Sequence, residues 1–352
     1  MYAVIMAGGK GERLWPKSTA GKAKHIISLG TRNVMIQETI KRLKENLSID
    51  NILIVTTKNQ LSSLKPYIAG LKKENIILEP FGKDTAPAIC LAALILKKRF
   101  GDATMVILPA DHIIKNTKVF FKDLASAGKI AESGPNLLTI GIKPRYPSVG
   151  YGYIEAGKKI QRHYVVKRFI EKPKKAKAEA FYKNKKYLWN SGIFVWKTEV
   201  ILSMMKKYMP DLYYSLEDAC KFEGKAGYNI RLKNEYSNLK PISIDYAIME
   251  PVSMNEHNRL FCIKANFDWA DIGSWSSIEE IYDKDADGNI ILSDSSVIDV
   301  KGCIIVGDRS HKIGAIGLKD IIIVQTKSGT LVCNKNRAQE VKDLVKTFRA
   351  FE

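Results

Sequence analysis

At 352 residues, with 45% hydrophobic and 26% charged side chains, the chain can hold one large domain plus a smaller one and has the composition of an ordinary soluble globular protein. Five scattered cysteines (Cys90, Cys220, Cys262, Cys303, Cys333) argue against a disulfide framework or a zinc cluster and suit a reducing cytoplasm; no run approaches ~20 apolar residues and the first apolar run meets glycines at once, so neither a membrane span nor a targeting segment is expected. A net charge of +19 raises nucleic-acid binding, but lysine pairs such as Lys97-Lys98, Lys174-Lys175 and Lys185-Lys186 carry no interleaved aromatics, so they read as solvated faces that steer small anions, with no nucleic-acid partner.

The chain opens on a short apolar strand, 3–6, that runs into Ala7-Gly8-Gly9-Lys10-Gly11-Glu12-Arg13-Leu14-Trp15-Pro16. Three glycines in four positions let the backbone turn tightly and bare its N–H groups, a concave site suited to phosphate oxygens. Arg13 and, ten residues after Leu14, Lys24 add a planar fork and a mobile point charge. Two commoner phosphate loops are excluded by spacing. The dinucleotide fingerprint needs a glycine where Leu14 stands, and the loop ending in G-K-[ST] fails because Ala23 follows Gly21-Lys22. From this stretch alone a plain Gly-rich turn with two solvated cations remains open, and a purely structural Lys24 would be a surface residue.

Up to about Leu138 the pattern alternates. Strands are expected at 3–6, 52–56, 76–78, 105–108 and 137–140, with helices at 35–47, 59–71, 87–100 and 120–132. Such alternation predicts a mostly parallel, doubly wound α/β sheet whose ligands bind beyond the carboxyl ends of the strands. That rule gathers the glycine loop, the segment from Glu79 to Pro87, and Pro109-Ala110-Asp111-His112 at one edge. Asp111 directly follows an apolar strand, where the carboxylate of a phosphate-bound Mg²⁺ would sit; a helix cap is the alternative. His112 has no second histidine nearby and reads as structural.

After Gly141 the residues 151–155 and 164–169 alternate as a hairpin and end in Ile170-Glu171-Lys172-Pro173. Trp189-Asn190-Ser191-Gly192 opens another strand. Carboxylate, ammonium and amide together suit sugar hydroxyls, against the alternatives of a surface ion pair and a turn asparagine. A short helix over 241–250 is expected, capped by Asp245 or Ser243. Asp268 and Asp271 then bring a second pair of acids, and periodicity cannot choose between them as a metal ligand. From about Gly288, short strands at 290–292, 297–300, 303–306, 321–325 and 331–333 predict a small rolled β domain, followed by a helix over 337–348, serving packing or homodimer contacts.

Taken together, the motifs resemble the sugar-nucleotidyltransferase family, most closely its mannose-1-phosphate guanylyltransferase branch. The residues that carry this are Met6-Ala7-Gly8-Gly9-x-Gly11-x-Arg13-Leu14-Trp15-Pro16 with Lys24, Glu79-Pro80 with Asp84-Thr85-Ala86-Pro87, Pro109-Ala110-Asp111-His112, Glu171-Lys172-Pro173, Asn190-Ser191-Gly192, and Trp269-x-Asp271-x-Gly273-Ser274-Trp275. The resemblance implies a Rossmann-like doubly wound mixed sheet over 1–285 and a small, β-helix-like C-terminal domain over 286–352. It implies GTP and mannose 1-phosphate as substrates and Mg²⁺ as cofactor, held by Asp111 and Asp271. Arg13 and Lys24 are then the catalytic cations. Ala7, Gly8, Gly9, Gly11, Arg13, Glu79, Thr85, Ala86 and Pro109 fall on the nucleotide, and Gly152, Glu171, Lys172 and Asn190 on the sugar. The chain departs from the family pattern at Glu12, Thr19, Ala23, His25, Lys83 and Asp84. A glucose-1-phosphate uridylyl- or thymidylyltransferase, and an idle sugar-nucleotide sensor, are the rival readings.

Overall fold

The computed structural model describes residues 1–9, 11–19, 21–29, 33–256, 258–308 and 311–348. Among the described residues the main sheet has nine strands. Tyr2–Met6 lies between Ile52–Thr57 and Thr104–Pro109, and Ile76–Glu79 flanks Ile52–Thr57, all four parallel. The antiparallel strand Tyr187–Lys197 then joins Thr104–Pro109 to Leu137–Ile142, making the sheet mixed. The hairpin Tyr153–Ile160 and His163–Ile170 completes it beyond Leu260–Lys264.

Continuous apolar strands work here because alternate residues enter two different cores. Val4, Leu53, Val55, Met105 and Ile107 face one, while Ala3, Ile5, Ile52, Ile54, Val106 and Leu108 face the other. The first core is covered by Thr85–Phe100, in which every residue from Ala86 to Leu96 is buried. Pro87 is tolerated there because a first-turn N–H has no partner to lose.

Several expected boundaries shift for physical reasons. The helix expected over 59–71 is Lys58–Leu64 followed by the tighter turn Lys65–Tyr67, since Pro66 cannot continue the hydrogen-bond ladder. Residues 241–250 wind wide, as a π-helical turn over Asp245–Met249, before the helix Glu250–Asn255. Ser243 acts as the cap, its Oγ accepting from Tyr246 N at 3.4 Å, while Asp245 turns elsewhere.

In the C-terminal region Ile290–Leu292, Ile304–Gly307 and Ile321–Thr326 stack in parallel, with Ile290, Ile304 and Ile322 in register. A second, two-stranded sheet pairs Ser295–Ile298 with Ile313–Ile316. The strand at 313–316 is not foreseen in the sequence, because Gly314 and Gly317 read as turn residues. The terminal helix of the sequence reading becomes a 3-10 turn, Lys335–Glu340, and then Val341–Thr347. Ile304, Val306, Ile322 and Val324 bury one face against Leu14, Ile27, Trp275 and Ile278, so this region shares a core with the glycine loop.

Candidate active site

The glycine loop leaves the sheet at Met6 and turns through Gly9 and Gly11, both at positive φ. At Gly11 a Cβ would lie 2.6 Å from Lys24 Cβ, so only glycine lets the loop close on the segment that carries the lysine. Ser18 Oγ donates to Gly11 O at 2.6 Å, and buried Leu14 anchors the loop from below.

Lys24 begins the short turn Lys24–Ile26. Its Nζ sits 2.6 Å from Asp111 Oδ2 and 2.7 Å from Asp271 Oδ1. The two acids meet because Trp269–Asp271 pairs antiparallel with His112–Ile114, placing Asp271 opposite His112 and so beside Asp111. Burial by itself would lower the Lys24 pKa, but the two carboxylates outweigh it and push it up to about 12. Burial by itself would raise Asp271, yet the ammonium of Lys24, helped by Arg13, brings it down to about 2. The side chain of Lys24 is 13% exposed, which corrects the reading of a structural Lys24 as a surface residue. Asp268 is exposed and stands outside this triad.

A cavity of about 580 Å³ adjoins the triad, within the usual size range for a small-molecule site. Gly8, Gly9, Glu79, Thr85 and Pro109, expected on the nucleotide, and Asp111, expected on the metal, line it. Ala7 and Ala86 do not. Both are fully buried, with their N–H groups donated to Val55 O and Ile242 O. Burial pushes the Glu79 carboxyl up to about 7, although Tyr236 donates a hydrogen bond to its Oε1 at 3.2 Å.

On the far side, Glu171 Oε2 lies where any side chain at Gly152 would collide, 2.5 Å from the position of its Cβ. Lys172 reaches Glu171 Oε1 at 2.9 Å from the exposed side. Asn190 Oδ1 accepts from Thr139 Oγ1 at 2.8 Å, and its Nδ2 donates to Asp245 Oδ1 at 3.0 Å. Asp245 lines the cavity, a placement the sequence reading missed by weighing it only as a cap. Its one local signal is an acid set among the apolar residues Ile242, Ile244, Ala247 and Ile248.

A glycine-rich strand exit, a lysine between two carboxylates and an adjoining cavity can be compared with known proteins. The nucleotidyl transferase family matches residues 2–288. This chain belongs to that family. A second match, to the MannoseP isomerase/GMP-like beta-helix domain, covers residues 285–348 of the nucleotidyltransferase. A protein of Vibrio cholerae named putative mannose-1-phosphate guanylyltransferase is 38% identical over 353 residues, covering 99% of this chain and 74% of its own. A mannose-1-phosphate guanylyltransferase of Klebsiella pneumoniae is 37% identical over 352 residues, covering 98% and 73%. Among solved structures, one described as mannose-1-phosphate geranyltransferase from Thermus thermophilus superposes with a TM-score of 0.87 at 29% identity, covering 98% of each chain.

In this nucleotidyltransferase the ammonium of Lys24 marks where positive charge is favoured between the carboxylates. Two hard oxygen donors suit a divalent cation that keeps water and substrate oxygens as its other ligands. His112 lies close enough to join them. However, its Nδ1 accepts from Trp269 Nε1 at 3.1 Å, so the neutral ring carries its proton on Nε2 and has no lone pair left for a metal. Burial lowers the His112 pKa, which keeps the ring neutral. Its part is structural. No helix among the described residues is long and apolar enough to cross a membrane.

Proposed function

We propose that this nucleotidyltransferase moves GMP from GTP to mannose 1-phosphate, giving GDP-mannose and pyrophosphate. The observation that carries the reading is Lys24 enclosed between Asp111 and Asp271, at 2.6 and 2.7 Å, beside a cavity of nucleotide size. The names of the relatives supply the base and the sugar.

The nucleophile is an oxygen of mannose 1-phosphate, already ionised, so no side chain needs to remove a proton. It attacks the α-phosphorus of GTP in line, the bond to the bridging oxygen breaks, and pyrophosphate takes the electron pair. Rate then rests on positioning and on neutralising negative charge. Asp111 and Asp271 are the residues that would hold Mg²⁺, which would supply positive charge to offset that of the phosphates. Lys24, released from the carboxylates, supplies a compact cation to the α-phosphoryl, and Arg13 a planar fork to the triphosphate. Gly8, Gly9, Glu79 and Thr85 shape the nucleotide side, while Gly152, Glu171, Lys172 and Asn190, now joined by Asp245, hold the sugar.

Residues 1–285 form the transfer domain in this reading and 286–352 its β-rich support, in a cytoplasmic enzyme. A homodimer belongs to the same proposal. It is supported by Ile298 and Ile316, register partners in the two-stranded sheet that are 65% and 71% exposed. The test is pyrophosphate release from each pairing of nucleoside triphosphate and sugar 1-phosphate, with Mg²⁺ present or chelated. GTP with mannose 1-phosphate should lead, and chelation should stop it. Faster turnover of UTP or dTTP with glucose 1-phosphate would overturn the assignment of base and sugar. Nucleotide binding without any turnover would mark a sensor.

A further inference from the structure

Arg13 is gripped from the far end of the chain. Its Nη1 donates to Gln339 Oε1 at 2.7 Å across 326 residues, and Gln339 Nε2 donates onward to Ser274 Oγ at 3.2 Å. Ser274 is fully buried and bonded to Ser276 Oγ at 3.0 Å, so the amide is held at its other end. The guanidinium lies along Gly273, whose Cβ, if present, would stand 3.8 Å from Nη1 and 3.9 Å from Nη2. The loop around it is held by the same region. The Trp15 ring stacks on Phe348 at 5.0 Å, and Trp15 O accepts from Trp275 Nε1 at 2.8 Å. Pro16 O accepts from Thr326 Oγ1 at 3.4 Å, and Leu14 shares a core with Ala338, Val341 and Val345.

We propose that Gln339 is a positioning residue for Arg13, through which the C-terminal region aims the guanidinium at the triphosphate. This rests on the reading of Arg13 given above. The chemistry favours an amide. A guanidinium carries five N–H donors in a fixed fork, and one bond to a neutral acceptor fixes its direction while its charge and the remaining donors stay available. A carboxylate at the same place would form a charge-assisted pair, cancel the positive charge and repel phosphate. The arrangement also gives the C-terminal region a task in catalysis without any reactive group of its own.

GTP binding to the full chain, measured by calorimetry with Mg²⁺ and no sugar, tests this together with steady-state kinetics. Arg13→Ala should weaken GTP about 10- to 100-fold, as loss of a charged hydrogen-bond donor does. Gln339→Ala should weaken it about 3- to 10-fold while the KM for mannose 1-phosphate stays within about twofold. Gln339→Glu, which preserves shape, should be worse than Gln339→Ala. In an Arg13→Ala background, Gln339→Ala should cost nothing further. A Gln339→Ala loss that persists undiminished in that background, or a Gln339→Glu protein that binds GTP as well as the parent, overturns the proposal. Failure of the parent chain to bind GTP defeats the functional reading itself and this inference with it. Normal binding by the parent with a silent Gln339→Ala defeats this inference alone.

Discussion

Two pairs of acids flank the site, and burial acts on Asp271 in one and on Glu171 and Asp245 in the other, yet the shifts run in opposite directions. Asp111 and Asp271 enclose an ammonium, and Asp271 is held down to about 2. Among the described residues the cation beside Glu171 and Asp245 is Lys172, whose side chain is 58% exposed and reaches Glu171 from outside. There desolvation prevails and both carboxyls are raised, Glu171 adding to the shift of Asp245 and Glu250 to that of Glu171. A cation inside the pair decides the outcome. One end of the site is thus arranged to keep negative charge and attract positive charge. The other is arranged to raise its acids, with Asp245 pushed up to about 7 by burial and by the neighbouring Glu171.

The largest expected effect comes from breaking the first pair. Asp271→Asn and Asp111→Asn should each lower turnover by at least ~10²–10³, the usual cost of removing a well-placed electrostatic group, while Asp268→Asn stays near the parent rate. Pyrophosphate release decides it; a damaging Asp268→Asn beside a benign Asp271→Asn would reverse the assignment.

Lys24→Met removes the enclosed cation and leaves two carboxylates facing each other. Both kcat and kcat/KM should fall together, and Lys24→Arg should rescue poorly because a fork cannot take the place of a compact ammonium. Unlike a surface lysine, it should also cost stability. Breaking a fully buried pair costs ~3–5 kcal/mol, and with the acids 23% and 27% exposed roughly 2 kcal/mol is expected, recoverable with Mg²⁺. A melting temperature that neither drops nor responds to Mg²⁺ would show that the cation is not needed there.

At the opposite end, Glu171→Gln should raise the KM for mannose 1-phosphate about tenfold and that for GTP less than twofold, a loss of about one charged hydrogen bond on one substrate. Equal losses for both would move Glu171 away from the sugar and dissolve the contrast.

The smallest effect concerns pH and sharpens the rule that burial without a cation raises an acid. Glu79, pushed up to about 7 by burial, binds its proton more tightly folded than unfolded. Its contribution to stability is therefore complete below about pH 4.5 and is lost as pH rises through about 7. Glu79→Gln should remove that decline, gaining up to roughly 3 kcal/mol relative to the parent between pH 5 and pH 8. Parallel urea midpoints for the two proteins across that range would count against it.

What the sequence determined was local. Apolar runs ending in glycine, proline or aspartate mark strand exits because those residues stop or turn a backbone wherever they stand, so the α/β sheet and the loops at its carboxyl edge could be read directly. The β-rich end was legible by the same signals, except at Ile313–Ile316, where glycines mask the period. What only the tertiary structure decided is which side chains meet. Ala7 and Ala86 sit in the right motifs but have their N–H groups taken by neighbouring backbone, and Asp245 leaves its cap position for the cavity. Lys24 meets Asp271 across 247 residues through a three-residue ladder, and Arg13 meets Gln339 across 326. No periodicity spans such separations. Those contacts exist because sheets and shared cores close the chain on itself, and the charge inside each pair of acids is set only after they have done so.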